Sequence, residues 1–400
     1  MNRVDHIRSL DDYFHELTRL LERETWVNAE SAAQLLSIRD KHSELRFLQV
    51  DQLGTARNRP YIAMEAFDYI ACFHTQVLYY LEKGMYEEAY QSQTQIIQTI
   101  NTELMPKIKE SNWYMPILYA AARDLLYVAK LADDQTGDQD DDDQAEKTTF
   151  YEDSAKYLME SYRTSVTDAR KEPQATKKIS MLNLTNQLFR IYFKINKLNL
   201  LRPLIRAIDN AGILYDYFSM ADKVTYNYYL GQKAMFDNDL PLAEKALTYA
   251  FNNCPSDRLH NKRLILTFLI PVKMFLGQMP SIEILQKYNL NSFVELVESV
   301  KEGNLARLDA ALQHNEEFFI SCGLFLILEK LRSIAFRTLF KKVAHLIGDT
   351  RGIDDVDEDE LECIVATLIA EKKIKGYVSN VHQILVLSKQ TPFPPLSLMK

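Results

Sequence analysis

Apolar side chains recur at helical spacing along nearly the whole chain. Before residue 132 they return every three or four positions over 8–23, 28–50, 61–83, 86–103 and 112–131, and each run predicts an amphipathic helix. In the third, Ile62, Ala66, Ile70, Phe73, Val77 and Tyr80 follow one face, and Gly84 is placed to cap the C-terminus. Helical spacing resumes at Phe150 and predicts segments over 150–166, 176–195, 198–209, 220–236, 240–252, 259–276, 281–287, 291–301, 304–313 and 316–333. Within YNYYLGQKAMFDNDLPLAEKALTYAFNNCP, Leu230, Gly231, Ala243, Ala250 and Pro255 hold the small-residue and terminating positions of a tetratricopeptide-like hairpin. One such hairpin cannot bury its own apolar face, so it predicts a stack of neighbours.

The pattern changes after residue 330. A helix over 336–347 precedes the polar stretch 348–357, where Asp357 and Glu360 form a capping box for a helix carrying Leu361, Ile364, Val365, Leu368 and Ile369. Two β-prone runs follow, IKGYV at 374–378 and ILVLS at 384–388, joined by SNVHQ with its turn-favouring Asn380. The expected fold class is therefore all-α, a right-handed helical-hairpin solenoid of tetratricopeptide type ending in a winged helix with a small β-hairpin. Residues 1–205 read as N-terminal helical repeats and 206–400 as a terminal domain, with a helical subdomain over 206–325 and the winged helix over 326–400.

Composition narrows the function. Only 11 Gly and 12 Pro punctuate 400 residues, and the 47% apolar content is ample for a continuous core. Cys72, Cys254, Cys322 and Cys363 lie far apart with no CxxC pair, which suggests a reducing compartment and gives no zinc spacing. The charged start MNRVDHIRSLDDYF is unlike a signal peptide, and apolar stretches such as 264–272 are too short to span a bilayer. The formal net charge of -8 equals the contribution of one segment, since 133–146 holds eight acids and no base. That segment, extended to 148, reads as a disordered acidic loop without the EF-hand spacing. In contrast, 163–206 carries ten bases against Asp168 and Glu172, so a basic face is hidden in the average.

The run LIAEKKIKGYVSNVHQILVLS resembles the end of PCI domains, the module named for the proteasome lid, the signalosome and translation initiation factor three. Further stretches, NQLFRIYFKINKLNLLRPLIRAID, VTYNYYLGQKAMFDNDLPLAE, LTFLIPVKMFLGQMPS, FFISCGLFLILEKLRSIAFRTLFKKV and SKQTPFPPLS, are similar to the PCI domain-containing protein 2 family over roughly 85–400. The resemblance implies a non-catalytic scaffold in the second transcription-and-export complex, which couples transcription to mRNA export at nuclear pores. It implies three partners: a larger scaffold related to germinal-centre-associated nuclear protein, a small acidic tether protein, and mRNA bound with low sequence specificity. It also implies the nucleus and nuclear pore as location, leaving a cytoplasmic share open. Where the family has a further helix after FKKV, this chain has AHLIGDTRGIDDV, so the winged helix is expected to be one helix short.

The candidate nucleic-acid contacts are Arg337, Lys341, Lys342, Lys372, Lys373, Lys375 and Lys389, bases that would bind phosphates through counterion release. Solvated surface is the plain alternative for each. Arg190, Lys194, Lys197, Arg202 and Arg206 are interleaved with Ile191, Phe193, Leu201 and Leu204, whose spacing indicates core. These five bases are candidates for an acidic partner, for internal ion pairing (Arg206 with Asp209) or for RNA. The tail SKQTPFPPLS reads as a segment packed back on the wing, with a polyproline ligand as the alternative. The chain has no phosphate loop, GxGxxG, GxSxG or HExxH, and its His residues are scattered, so no catalysis, cofactor or metal site is expected. His74, on an apolar helix face, reads as a satisfied core residue. A structural subunit of a proteasome-lid-like or signalosome-like assembly, without nucleic acid, is the alternative function.

Overall fold

The computed structural model describes residues 7–50, 62–137, 149–347, 358–379, 382 and 384–396. The chain forms two compact units, Met1–Tyr226 and Asn227–Lys400, and the division falls inside the helix Met220–Phe236. The fold is all-α, built of stacked helical hairpins and ending in a winged helix. No helix among the described residues is long and apolar enough to cross a membrane.

In the first unit, helix Glu65–Glu82 turns at Gly84 (φ 70°) and packs on Tyr86–Thr99, which packs in turn on Met115–Gly137. Helix Phe150–Val166 continues the stack and pairs with Met181–Lys194. The apolar positions read from spacing supply the core, with Ile62, Ala66, Ile70 and Val77 all buried. Buried polar groups then tie one helix to the next. Gln93 Nε2 donates to the Ala121 carbonyl (3.0 Å), and Ser161 Oγ donates to Asn101 Oδ1 (2.7 Å).

Three boundaries differ from the sequence reading for identifiable reasons. The run 28–50 is not one helix: Trp26–Leu35 ends, and two single 3-10 turns, Lys41–Glu44 and Arg46–Leu48, follow. After the helix the Ile38 N–H donates to the buried carboxylate of Asp124 (3.1 Å), and Asp40 accepts from the Lys41 N–H (2.9 Å) to start the first turn. The expected acidic loop begins later than 133, since helix Met115–Gly137 continues through that point. Asp133 is no solvated acid there; its two carboxylate oxygens accept from the N–H groups of Phe150 (2.7 Å) and Tyr151 (3.0 Å), capping the next helix. Residues 138–148 lie outside the described residues. The third difference is 316–333, which divides into Glu316–Ser321 and Phe325–Glu329, with Gly323 (φ 68°) between them.

The predicted tetratricopeptide-like hairpin is present as Met220–Phe236, from Asn227 on in the second unit, and Leu240–Asn253. Ala243, Ala246 and Ala250 are buried, and a Cβ on Gly231 would meet Leu247 Cγ at 2.4 Å, so the close approach needs glycine. Asp239 Oδ1 caps the second helix by accepting from the Leu242 N–H (3.1 Å). Helix Val294–Glu302 packs on Leu305–His314 and on Arg332–Ile347, and the latter packs on Glu358–Ala370. Strands β1 (Gly376–Ser379) and β2 (Ile384–Leu387) close the winged helix as an antiparallel pair. The polar stretch 348–357, including the expected capping residue Asp357 and the place of the missing helix, lies outside the described residues.

The first unit also buries a histidine pair, His42 Nε2 to His74 Nε2 at 3.0 Å, with Asp40 Oδ2 3.5 Å from His42 Nδ1. Burial pushes the pKa of both below the ordinary value, His74 well below it, and for His74 the neighbouring ring adds to the effect. The unfolded chain takes up protons near pH 6.5 while the folded pair stays neutral, so this contribution is complete above that pH and lost as pH falls. Buried Asp124 and Asp222 have raised pKa values and act in the opposite direction, so a difference measurement is needed. The urea midpoint of the wild type should fall more steeply from pH 7 to 5 than that of a His42→Gln, His74→Gln double variant; parallel curves would refute the assignment.

Candidate nucleic-acid and partner interface

Helix Arg332–Ile347 carries three of the seven predicted phosphate contacts, and they have different fates. Arg337 is a correction: it is only 8% exposed, and its guanidinium donates from Nε to the Lys373 carbonyl (3.1 Å) and from Nη2 to the Pro394 carbonyl (2.6 Å). It fastens the helix to the turn before β1 and to the C-terminal tail. Lys341 and Lys342 are exposed, and Lys342 Nζ donates to the Glu302 carbonyl (2.8 Å) at the end of the neighbouring helix.

The turn between Glu358–Ala370 and β1 holds Lys372 and Lys373. Lys372 sits at φ 61°, a left-handed position that turns the chain out of the helix and leaves the side chain exposed. Lys373 is engaged internally, with Nζ 2.7 Å from both Ser333 Oγ and a Glu371 carboxylate oxygen. Lys375 and Lys389 are exposed where the chain enters β1 and leaves β2. Exposed lysines therefore number five, and none has a carboxylate partner among the described residues.

Strand register adds a surface that the sequence reading did not single out. Tyr377 pairs with Val386 and Ser379 with Ile384, and directly opposed residues share a face, so Tyr377, Val386 and Ile384 lie together. Tyr377 is 61% exposed and Ile384 49% exposed. The opposite face holds Val378, Leu385 and Leu387. Alternation in the two runs was the available signal, but which face stays open depends on packing against the helices.

The tail is packed back rather than displayed. The Lys375 N–H donates to the Pro392 carbonyl (2.8 Å), and Leu396 lies where a Cβ on Gly277 (φ 79°) would meet it at 2.7 Å.

In the first unit, the predicted partner residues also separate. Lys197 pairs with the Glu152 carboxylate, and the Lys194 ammonium lies 4.6 Å from the centre of the Tyr151 ring. Arg190, Arg202 and Arg206 are exposed on helices Met181–Lys194 and Leu201–Asp209, whose Ile191, Leu201, Leu204 and Ile208 are buried. No ion pair joins Arg206 to Asp209 among the described residues. Lys177 is buried and donates to the Met105 carbonyl. Among the described residues no group of three or more His, Cys, Asp or Glu could hold a metal ion.

The PCI domain profile matches residues 311–389, the region that contains the hairpin and its lysines. A PCI domain-containing protein 2 homolog of Caenorhabditis elegans is 51% identical over 98% of this chain and 98% of its own length. The chain belongs to the PCI domain-containing protein 2 family. The Xenopus laevis PCI domain-containing protein 2 is 40% identical over 97% of this chain and 98% of its own. More distantly, the enhanced ethylene response protein 5 of Arabidopsis thaliana is 35% identical over 72% of each chain. PCI-domain proteins are in general scaffold subunits of multiprotein assemblies, so the family brings an expectation of protein partners.

If Arg337 is a structural clamp, Arg337→Ala leaves two carbonyls and a buried pocket unsatisfied and should lower the second unit's unfolding free energy by about 3 kcal/mol. Lys341→Ala should stay within about 0.5 kcal/mol of wild type. Urea denaturation followed by amide exchange over 372–378 checks both, and equal effects of the two changes would contradict the clamp.

Proposed function

We propose that this chain is a non-catalytic scaffold subunit of the nuclear-pore-associated transcription-and-export complex, joining a larger PCI-interacting scaffold and mRNA. The observation that carries the nucleic-acid part is the set of exposed lysines, Lys341, Lys342, Lys372, Lys375 and Lys389, on elements bordering the hairpin and without carboxylate partners among the described residues. A phosphate backbone supplies repeated acceptors to such a set and asks for no base-specific geometry. The apolar face formed by Tyr377, Val386 and Ile384 supports docking of the scaffold's own winged helix, which would cover aromatic surface otherwise left in water. Exposed Arg190, Arg202 and Arg206 suit the acidic tether protein, with Lys194 and Lys197 contributing less because Tyr151 and Glu152 already engage them. Work at the nucleus and nuclear pore follows from this reading.

The chain purified with its scaffold should bind a single-stranded RNA oligonucleotide with strong salt dependence. Changing Lys341, Lys372, Lys375 and Lys389 together to Glu should weaken that binding by roughly 100-fold or more and reduce the log–log salt slope by about 3. Unchanged binding would discard the nucleic-acid reading. Copurification from cells with proteasome-lid or signalosome subunits in place of mRNA-export factors would favour a purely structural role.

A further inference from the structure

The chain holds twelve prolines, and Thr391–Pro392 is the one place where a serine or threonine stands directly before a proline. The surroundings of this dipeptide are specific. The Ser388 N–H donates to the Lys375 carbonyl (2.9 Å) and the Pro392 carbonyl accepts from the Lys375 N–H (2.8 Å), so residues 388–392 form an arch with both ends fixed to one residue. Its tip, Lys389, Gln390 and Thr391, is exposed throughout. The Thr391 side chain has no hydrogen-bond partner among the described residues. Its backbone lies at φ 44°, the left-handed region that a β-branched residue adopts at a cost of about 1 to 3 kcal/mol. Opening the arch relieves that strain while breaking few hydrogen bonds, which makes the extended conformation needed in a kinase cleft accessible.

We infer that Thr391 is a phosphorylation site for a proline-directed protein kinase, and that the phosphate lowers binding of polyanions by the wing. In the modification, Thr391 Oγ1 attacks the γ-phosphorus of a nucleoside triphosphate. The bond to the β,γ-bridging oxygen breaks, the nucleoside diphosphate leaves, and the hydroxyl proton passes to the kinase's base. The product carries close to two negative charges and three strong acceptor oxygens. Lys389 is two residues away and Lys375 closes the arch, so two of the five exposed lysines acquire an internal anion in place of an external one. The site itself stands independently, whereas its effect on binding rests on the nucleic-acid reading above.

The test uses the full chain with its scaffold, a proline-directed kinase, adenosine triphosphate and a fluorescent single-stranded RNA oligonucleotide. Intact mass should show one added phosphate, mapped by fragmentation to Thr391, absent in Thr391→Ala and retained in Thr391→Ser. The phosphorylated protein should bind the oligonucleotide roughly tenfold more weakly, with a salt slope smaller by about 1.4. Thr391→Ala treated with the same kinase should bind as the untreated wild type does. Absence of phosphate at Thr391 overturns the site, and a phosphorylated chain with unchanged affinity overturns its effect. A chain that binds no RNA before treatment overturns the nucleic-acid reading instead, and the mass measurement still decides Thr391.

Discussion

A helix in this protein presents more apolar surface than a single partner can cover, and the architecture follows from satisfying that requirement repeatedly. Tyr86–Thr99 illustrates it, because the helix is packed against Glu65–Glu82 on one side and Met115–Gly137 on another. Small residues set the spacing at which this works. At Gly231 the facing Leu247 occupies the space a Cβ would need, and Ala243, Ala246 and Ala250 keep the same helix pair close. A hairpin added to such a stack covers one open face and exposes another, so the last unit of a series needs a polar outer face or a different cover. Here the described chain finishes in a winged helix.

Apolar burial alone leaves helices free to slide, and in the first unit long-range polar bonds fix their register. Asp133 accepts from the first N–H groups of the following helix, Asn112 Nδ2 donates to the carbonyls of Pro173 (2.7 Å) and Thr176 (2.9 Å), and Asn183 Nδ2 donates to Asp222 Oδ1 (2.9 Å). Each gives a backbone or carboxylate group of one segment a hydrogen-bond partner on another. Burial raises the pKa of Asp133 and Asp222 against the effect of these hydrogen bonds. Acidic residues in this unit are therefore part of the packing as well as of the surface.

This division explains what could be read from the sequence. Helical spacing located the hairpins, Gly84 and Gly231 marked a turn and a close contact, and period-two runs placed both strands. Those signals are local. After Leu35 the Ile38 N–H is satisfied by Asp124, 86 residues away, a partner that no pattern within 28–50 reveals. Asp133 looked like the first residue of an acidic tract because composition cannot distinguish a carboxylate facing water from one facing a helix N-terminus. At the candidate interface, residue type identified the bases but not their surroundings, so Lys373, bonded to Ser333 and Glu371, was indistinguishable from exposed Lys372.

Arg337 and Lys341 make the same point on a single helix. They are four residues apart, hence neighbours on one face, yet the first is buried and the second exposed. The C-terminal tail accounts for the difference. The carbonyls of Pro392 and Pro394, two residues apart in an irregular segment, accept from the Lys375 backbone and from the Arg337 guanidinium. A proline has no N–H, so at these positions the tail can turn its acceptors inward without leaving donors unsatisfied. An arginine suits the site because its fork reaches the Lys373 and Pro394 carbonyls at once, which a single ammonium group matches poorly. The tail thereby holds Arg337 inward, while Lys342 is held by the Glu302 carbonyl and Lys341 is left to solvent or to a polyanion.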